Sequence, residues 1–455
     1  MMKFYLTLGS RMVHLKIKRG LNIPLIGDPA GDLQKLPQPS TVALDLDLFY
    51  FLRFSLLKKP GDKVAIGEPI VEDKSCPGRV FVSPASGVIK DVVRGLKRRI
   101  LRLTIHCDQT PCFFDHGTCN AESKDDLLAH LMKGGLFPHI SVRPCNRLPS
   151  PDVIPDAIFV TAIASAPFAP PPELELQGHE ILFQKGLTAL ASLCPVHLIT
   201  RPESVFLSVS DVETHTAEGP HPISYPSIHI AAIHPIIKND QSVWTLGVSD
   251  VVAVGLLVAE GKYYHHQVLS LAGEGLSESK RGYFKLPRGF PIQDLIAGRC
   301  ADEKVRLISG NPLMGTKVEQ DEYLKFFDTT FCVLPEPSEK RRFCHFIRPG
   351  TKSYTNTRAY FKKKKPYSFT TLQHGEERAF VDGGIYEKVM PLNIPVMHLI
   401  KAILAEDFEL AESFGLLSVA PEDFALPAFI CPSKIEMPEI IRRGLRSYAE
   451  QYLEA

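Results

Sequence analysis

The sequence predicts a mixed α/β protein built from several domains, and three observations carry that expectation. Its 455 residues exceed one ordinary core, and at about 150 residues per domain they suggest about three. From Leu15 to about Ile105 the chain reads as short strands between turns marked by Gly20, Gly27, Gly61, Gly67, Gly78, Gly87 and Gly95. After that, buried-strand runs alternate with helix-spaced apolar residues, the pattern of an α/β layer.

Composition sets the outer limits. Hydrophobic residues are 44% and charged residues 23% of the chain, a balance that folds. Fifty-two basic against fifty-one acidic residues leave a formal charge of +1, so no global field draws nucleic acid and none is expected as a partner. The longest clean apolar stretch, Val251 to Ala259, is less than half of the about 20 residues a spanning helix needs. Membrane association is therefore expected to be peripheral. Lys3, the short run Phe4 to Leu8 and Arg11, without an A-x-A-like site, do not make a signal peptide. A cytoplasmic chain is expected, with residues 1–12 a tail or a mis-assigned start that carries no fold. Ten cysteines without a C-x-x-C pair read as reduced thiols.

Residues 13–105 form the first expected domain. In KPGDKVAIGEPIVEDK (59–74) a Pro60-Gly61-Asp62 turn leads into a strand and Gly67-Glu68 turns again, before SPASGVIKDV (83–92) returns across the sheet. This order of turns resembles the biotinyl-lipoyl barrel-sandwich fold. Lys74 stands where carrier domains hold an attachment lysine, which raises an acyl or biotin carrier as one reading. Ser75-Cys76-Pro77-Gly78 lengthens and stiffens what should be a two-residue hairpin tip, so Lys74 is expected to be unmodified.

Residues 106–260 are expected to be a Rossmann-like α/β domain. After the Pro-rich junction Arg143 to Pro155, the stretch Asp156 to Ile163 reads as a buried strand and Leu182 to Leu193 as a helix; Val196 to Thr200 and Ser204 to Val209 read as further strands. The first strand is followed by ASAPFAPPPE (164–173) and not by G-x-G-x-x-G, so a pyrophosphate cradle is not expected. Residues 261–330, with HHQVLSLAG (265–273) and LPRGFPIQDLIAG (286–298), resemble a soluble-ligand-binding β-grasp module. Residues 331–455 end in helices, with Val396, Leu399, Ile400, Ile403 and Leu404 on one face.

Nine phrases in fixed order then bear a family resemblance. KRGLNIPLIGDP (18–29), EDKSCPGRVFVSPASG (72–87), RGLKR (94–98), GLFPHISVRPCNRLP (135–149), GPHPISYPSIHI (219–230), LSLAGEGL (269–276), ISGNPLMG (308–315), ERAFVDGGIYEKVMP (377–391) and EDFALPAFICPSK (422–434) span nearly the whole chain. Together they resemble the A subunit of the sodium-translocating NADH:quinone oxidoreductases. The resemblance implies a peripheral subunit on the cytoplasmic face of a bacterial inner membrane, in a complex with subunits B to F that passes electrons from NADH to ubiquinone while exporting Na+. It implies that NADH, flavins and iron centres belong to the partner subunits and that this chain binds no cofactor, is not catalytic alone, and contributes quinone interaction and assembly. The phrases resemble the C subunit of the Rnf complex more distantly. That relative carries cysteine-rich iron–sulfur motifs, whereas only Cys431 stands in the corresponding stretch here, with Pro427 upstream, and a cluster needs about four thiolates.

Three constellations are candidate sites. His106, Cys107, Cys112, His116 and Cys119 offer zinc-type ligands without the paired spacing of structural zinc, so no metal is expected there. The basic runs Arg94 to Arg102 and RAYFKKKKPY (358–367), the second with Tyr360, Phe361 and Tyr367, suit anionic lipid, an acidic partner or plain solvent. A quinone needs an apolar slot, an aromatic wall and a donor for its carbonyl oxygen. Phe137, His139 and Arg143 in one phrase, and His221, Tyr225 and His229 in another, supply those types. The competing reading is a scaffold whose Pro-flanked histidines satisfy buried backbone groups.

Overall fold

The computed structural model describes residues 3–6, 12–119, 123–302, 304–337, 354, 365–373 and 378–453. Its centre is a seven-stranded sheet in the order Lys3–Leu6, Val13–Lys16, Glu213–Glu218, Val196–Thr200, Ala157–Ala162, Val243–Gly247, Ser141–Arg143. The five inner strands are mutually parallel and the two edge strands antiparallel to their neighbours. Runs such as AIFVTA, VHLIT and VWTLG are mostly apolar because both faces of a parallel sheet are covered.

Alternation sorts these strands between two cores. Ile158, Val160 and Ala162 point to the helices Glu180–Ala191 and Val248–Glu260. Ala157 and Phe159 point the other way, into a core closed by Pro226–Ile233, Val396–Leu404, Phe408–Ser413 and Met437–Tyr452. In the last of these helices Met437, Ile441, Leu445 and Tyr448 recur at helical spacing and are all buried. The C-terminal third thus supplies the second helical layer of the α/β domain rather than a separate body.

The barrel-sandwich packs a four-stranded sheet (Thr41–Asp45, Ile100–Cys107, Gly87–Arg94, Lys63–Val64) on a three-stranded one (Phe54–Leu56, Pro69–Asp73, Val80–Val82). Val42, Ile70, Phe81, Leu103 and Ile105 fill the space between. The β-grasp sheet runs Thr316–Val318, Val305–Ser309, Thr330–Pro335, His266–Ala272, Gly282–Pro287, Leu33–Lys35, with the helix Ile292–Ile296 against it.

Three expectations need correction. Residues 1–12 are not without fold, since Lys3–Leu6 pairs with Val13–Lys16 as the outermost strand. Within residues 13–105 the chain lends two strands to neighbouring sheets, Val13–Lys16 to the α/β sheet and Leu33–Lys35 to the β-grasp sheet. Ser204 to Val209 is no strand; Val205–Ser208 is a 3-10 turn and the strand is Glu213–Glu218. The latter, ETHTAE, is polar enough to hide from an apolar-run search. The β-grasp strand Thr330–Pro335 runs past the boundary drawn at 330.

The helices Glu180–Ala191 and Val248–Glu260 cross where neither has a side chain. A Cβ on Gly255 would lie 1.9 Å from the Leu182 carbonyl oxygen, and one on Gly186 would lie 2.1 Å from that of Val251. Gly255→Ala should therefore destabilise the protein by about 1–3 kcal/mol through overpacking, more than the about 1 kcal/mol that alanine returns in helix propensity. A urea midpoint equal to or above that of the parent would contradict this.

Candidate functional site

In an open parallel sheet the useful crevice lies at the carboxyl ends of the strands, beside the point where strand order reverses. Here the chain starts at Ala157–Ala162, builds outward on one side through Val196–Thr200 and Glu213–Glu218, then places Val243–Gly247 on the other. The loops at that edge carry Ser165, Arg201 and His221, and Asp250 lies in the first turn of the helix Val248–Glu260. None of them sits in a phosphate-binding glycine turn.

His221 and Tyr225 meet in this region, their rings edge to face with centroids 4.8 Å apart. His221 Nδ1 lies 3.0 Å from Ser165 Oγ, which in turn lies 2.7 Å from Ser224 Oγ. The N–H of His221 donates to Asn22 Oδ1 at 2.8 Å. His221 Nε2 and the Tyr225 hydroxyl are buried without a hydrogen-bond partner. Burial alone drives the His221 imidazole down to about 4, so the ring is neutral at physiological pH. Burial, with Glu422 and Asp423 behind it, holds the Tyr225 phenol well above its ordinary value.

Arg143 backs the same region from the neighbouring edge strand. Its Nη1 donates to Ser227 Oγ at 3.1 Å and its Nη2 to Glu422 Oε1 at 2.6 Å. Asp423 accepts from the Ala420 N–H at 2.8 Å through Oδ2, while Oδ1 has no partner. Burial first, then Glu422, lifts its carboxyl to about 7.

The other candidates lie in different surroundings. Phe137 is fully buried against Trp244, ring centroids 6.0 Å apart. His139 lies 2.9 Å from the Tyr263 hydroxyl through Nε2 and 3.5 Å from Asp250 through Nδ1. His229 Nε2 donates to the Ile223 carbonyl at 2.7 Å, as the scaffold reading expects of a Pro-flanked histidine. Of the six quinone candidates, the structure brings His221 and Tyr225 together with Arg143 behind them, and sets Phe137 and His139 apart. Sequence reasoning missed Ser165 and Asn22, whose roles depend on contacts across 56 and 199 residues; the strand-end rule applied to ASAP after the first strand would have flagged Ser165.

The cysteine-rich stretch does not gather. His116 Nε2 is bound to the Gly67 carbonyl at 2.9 Å and Cys112 is exposed. Among the described residues the one potential metal group is His197, Glu213 and His215. His197 Nδ1 lies 3.1 Å from His215 Nε2 and 3.6 Å from Glu213 Oε2. However, the Val13 N–H donates to His215 Nδ1 at 3.1 Å, which fixes the hydrogen of the neutral ring on Nε2. That Nε2–H then points at His197 Nδ1, so the group holds a proton where a metal would need a lone pair.

Lys74 is exposed in a turn organised by the buried Asp73, which accepts from the Ser75 N–H and hydroxyl and from Arg79. The run 358–364 lies outside the described residues; Lys365 lies 5.4 Å over the Tyr367 ring.

Comparison with known proteins locates two of these domains. Residues 15–108 match the NqrA N-terminal barrel-sandwich hybrid domain and residues 122–263 the NqrA second alpha/beta domain. The chain is 36% identical to the A subunit of the Na(+)-translocating NADH-quinone reductase of Chlamydia caviae, covering 96% of this chain and 97% of that one. It is 36% identical to the corresponding protein of Chlamydia pneumoniae, over 96% and 98%, and 33% identical to that of Yersinia pestis (strain Angola), over 94% and 98%.

Buried histidines set an acid limit on this architecture. His215, His221, His229 and His266 are lowered to about 4 and His265 to about 3, burial being the largest cause in each. Each gains its proton on unfolding, so their stabilisation is complete above the unfolded value of about 6.5 and is lost as pH falls toward about 4. Asp423 and Asp328, raised to about 7 and about 6, act in the opposite sense but are outnumbered. Stability should fall with acid below pH of about 6.5, each histidine contributing at most about 1.4 kcal/mol per pH unit. Urea midpoints that stay flat or rise between neutral pH and pH of about 5 would refute this balance.

Proposed function

We propose a function from one premise: the chain belongs to the family formed by the A subunit of the Na(+)-translocating NADH-quinone reductases. Within such a complex its role is to hold the headgroup of the quinone, ubiquinone, at the carboxyl edge of the parallel sheet, and to help assemble the partner subunits B to F around it. NADH, flavins and iron centres sit on those partners, and electrons reach the quinone from there while Na+ leaves the cytoplasm. Among the described residues no helix is long and apolar enough to cross a membrane, which is compatible with a peripheral seat on the cytoplasmic face. The chain alone is not catalytic and binds no cofactor.

The observation that supports this reading best is the pair of buried, unpartnered polar atoms, His221 Nε2 and the Tyr225 hydroxyl. A buried polar group without a partner costs about 1–3 kcal/mol, and two side by side suit a ligand with an oxygen to offer. When Ser165 donates to His221 Nδ1, the neutral ring keeps its hydrogen on Nε2, and both His221 and Tyr225 are then donors. Neutral donors stabilise a carbonyl oxygen that gains charge on reduction. Arg143, tied to Glu422 and Ser227, fixes the helix start that carries Tyr225.

Tyr225→Phe is the cleanest test, because it removes only the hydroxyl. Folding stability should be unchanged or higher, while ubiquinone affinity falls roughly 2- to 13-fold for a lost hydrogen bond of about 0.5–1.5 kcal/mol. His221→Ala should weaken binding further, by about 1–3 kcal/mol. Unchanged ubiquinone titrations in both folded variants would move the site elsewhere. The isolated protein should also be colourless, and an absorption band in the visible that survives dialysis would overturn the assignment of flavins and iron to its partners. Complex lacking this chain should lose quinone reduction while keeping NADH oxidation by artificial acceptors; equal loss of both activities would leave only an assembly role.

A further inference from the structure

The hairpin joining Gly87–Arg94 to Ile100–Cys107 ends in a tip that burial does not explain. Leu96 is 93% exposed, the highest value among the large apolar side chains of the described residues. Lys97 and Arg98 follow with φ of 56° and 59°, a left-handed pair that short hairpin loops normally give to Asn-Gly. A bulky cation at each of these positions is a poor choice for the turn itself, and such outliers point to function rather than folding.

The tip adjoins a second exposed apolar element. Arg99 is paired with Asp47 at 2.5 Å, and the Leu46 N–H donates to the Leu101 carbonyl at 2.8 Å. The 3-10 turn that begins at Asp47 carries Leu48, Tyr50 and Phe51, which are 39%, 39% and 41% exposed. Phe327 joins them through Phe49, 5.6 Å between ring centroids, and is 47% exposed. Arg446 of the last helix lies 5.3 Å over the Tyr50 ring. Around this patch Arg53, Arg94, Lys97 and Arg98 are exposed, and among the described residues none of them has an acidic partner. The exposed carboxylate on the same hairpin, Asp91, accepts from its neighbour's N–H.

We propose that this face of the barrel-sandwich docks on an anionic lipid surface, with Leu96 entering the headgroup layer, Tyr50 and Phe51 lying at the interface, and Lys97, Arg98, Arg94 and Arg53 meeting lipid phosphates. Charge complementarity selects the occupant. A protein partner would have to supply several carboxylates to the exposed Arg53, Arg94, Lys97 and Arg98, whereas an anionic leaflet offers phosphates at every point around the apolar tip. Those residue classes populate the membrane–water boundary, where each basic residue near an anionic leaflet contributes about 1 kcal/mol, or about five-fold in affinity. The inference does not depend on the quinone site, which lies at the edge of the other sheet.

Co-sedimentation of the full chain with vesicles tests it. Vesicles of phosphatidylcholine and phosphatidylglycerol in equal parts should bind the protein, and vesicles of phosphatidylcholine alone should not. The double variant Lys97→Glu/Arg98→Glu should weaken binding at least about ten-fold, Lys97→Gln/Arg98→Gln less, and Leu96→Ser measurably, all with the circular dichroism and urea midpoint of the parent. Added salt should release the protein. Equal binding to both vesicle types, no binding to either, or variants that bind like the parent would overturn the proposal; no binding to either would assign the patch to a protein partner instead.

Discussion

The arrangement depends on one strap of chain that precedes the barrel-sandwich. Val13–Lys16 lies parallel to Glu213–Glu218 in the α/β sheet, and Leu33–Lys35 lies parallel to Gly282–Pro287 in the β-grasp sheet. Between them the Gly20 N–H donates to the Lys388 carbonyl and the Leu21 N–H to the His221 carbonyl, 3.0 and 2.8 Å away. Two of its glycines are obligatory for this course. A Cβ on Gly20 would stand 2.2 Å from the His221 carbonyl oxygen, and one on Gly27 would stand 2.3 Å from the Gly273 carbonyl carbon. The strap therefore joins three domains through backbone contacts that no side chain could make, and it positions His221 from both its N–H and its carbonyl.

That constraint explains how the site can differ from an ordinary Rossmann edge. A dinucleotide fold spends its first turn on glycines that let a pyrophosphate approach the helix start. Here the equivalent loop is stiffened by Pro167, Pro170, Pro171 and Pro172, and Ser165 is turned to His221 instead. The edge thereby presents the neutral His221 ring where a dinucleotide fold would present a glycine turn. His197 and His215, on the neighbouring strands, show the same economy: burial keeps them neutral, and the Val13 N–H selects one tautomer.

The sequence made the layers legible wherever apolar spacing was strong. Ala157–Ala162, Val196–Thr200 and the helix Glu180–Ala191 fall close to the stretches expected from periodicity. Glu213–Glu218 escapes such a search because its alternate residues are polar and its histidine is satisfied by a group 202 positions away. The strap's pairing with two other sheets is hidden for a related reason: strand lending is a tertiary choice that local spacing cannot encode. At the site, residue types alone group Phe137 with His221, although one is core packing beside Trp244 and the other lines the sheet edge. What separates them is the fate of each polar atom, a property of long-range contacts.

The energetics of those atoms bear on why the edge has this composition. Leaving a buried donor unpaired costs about 1–3 kcal/mol, against a total stability of about 5–15 kcal/mol for a domain. Replacing Tyr225 by phenylalanine would remove one such cost without opening a cavity, so folding alone gives no reason for the hydroxyl. His139 and His229 have partners for Nε2 in Tyr263 and the Ile223 carbonyl, while His229 Nδ1, like His221 Nε2, is buried without one. Tyr225 and His221 are held in place by neighbours that are themselves anchored, Arg143 through Glu422 and Ser227, and Ser165 through Ser224. If a quinone seats at this edge, its carbonyl oxygen would supply the partner that these two atoms lack within the chain.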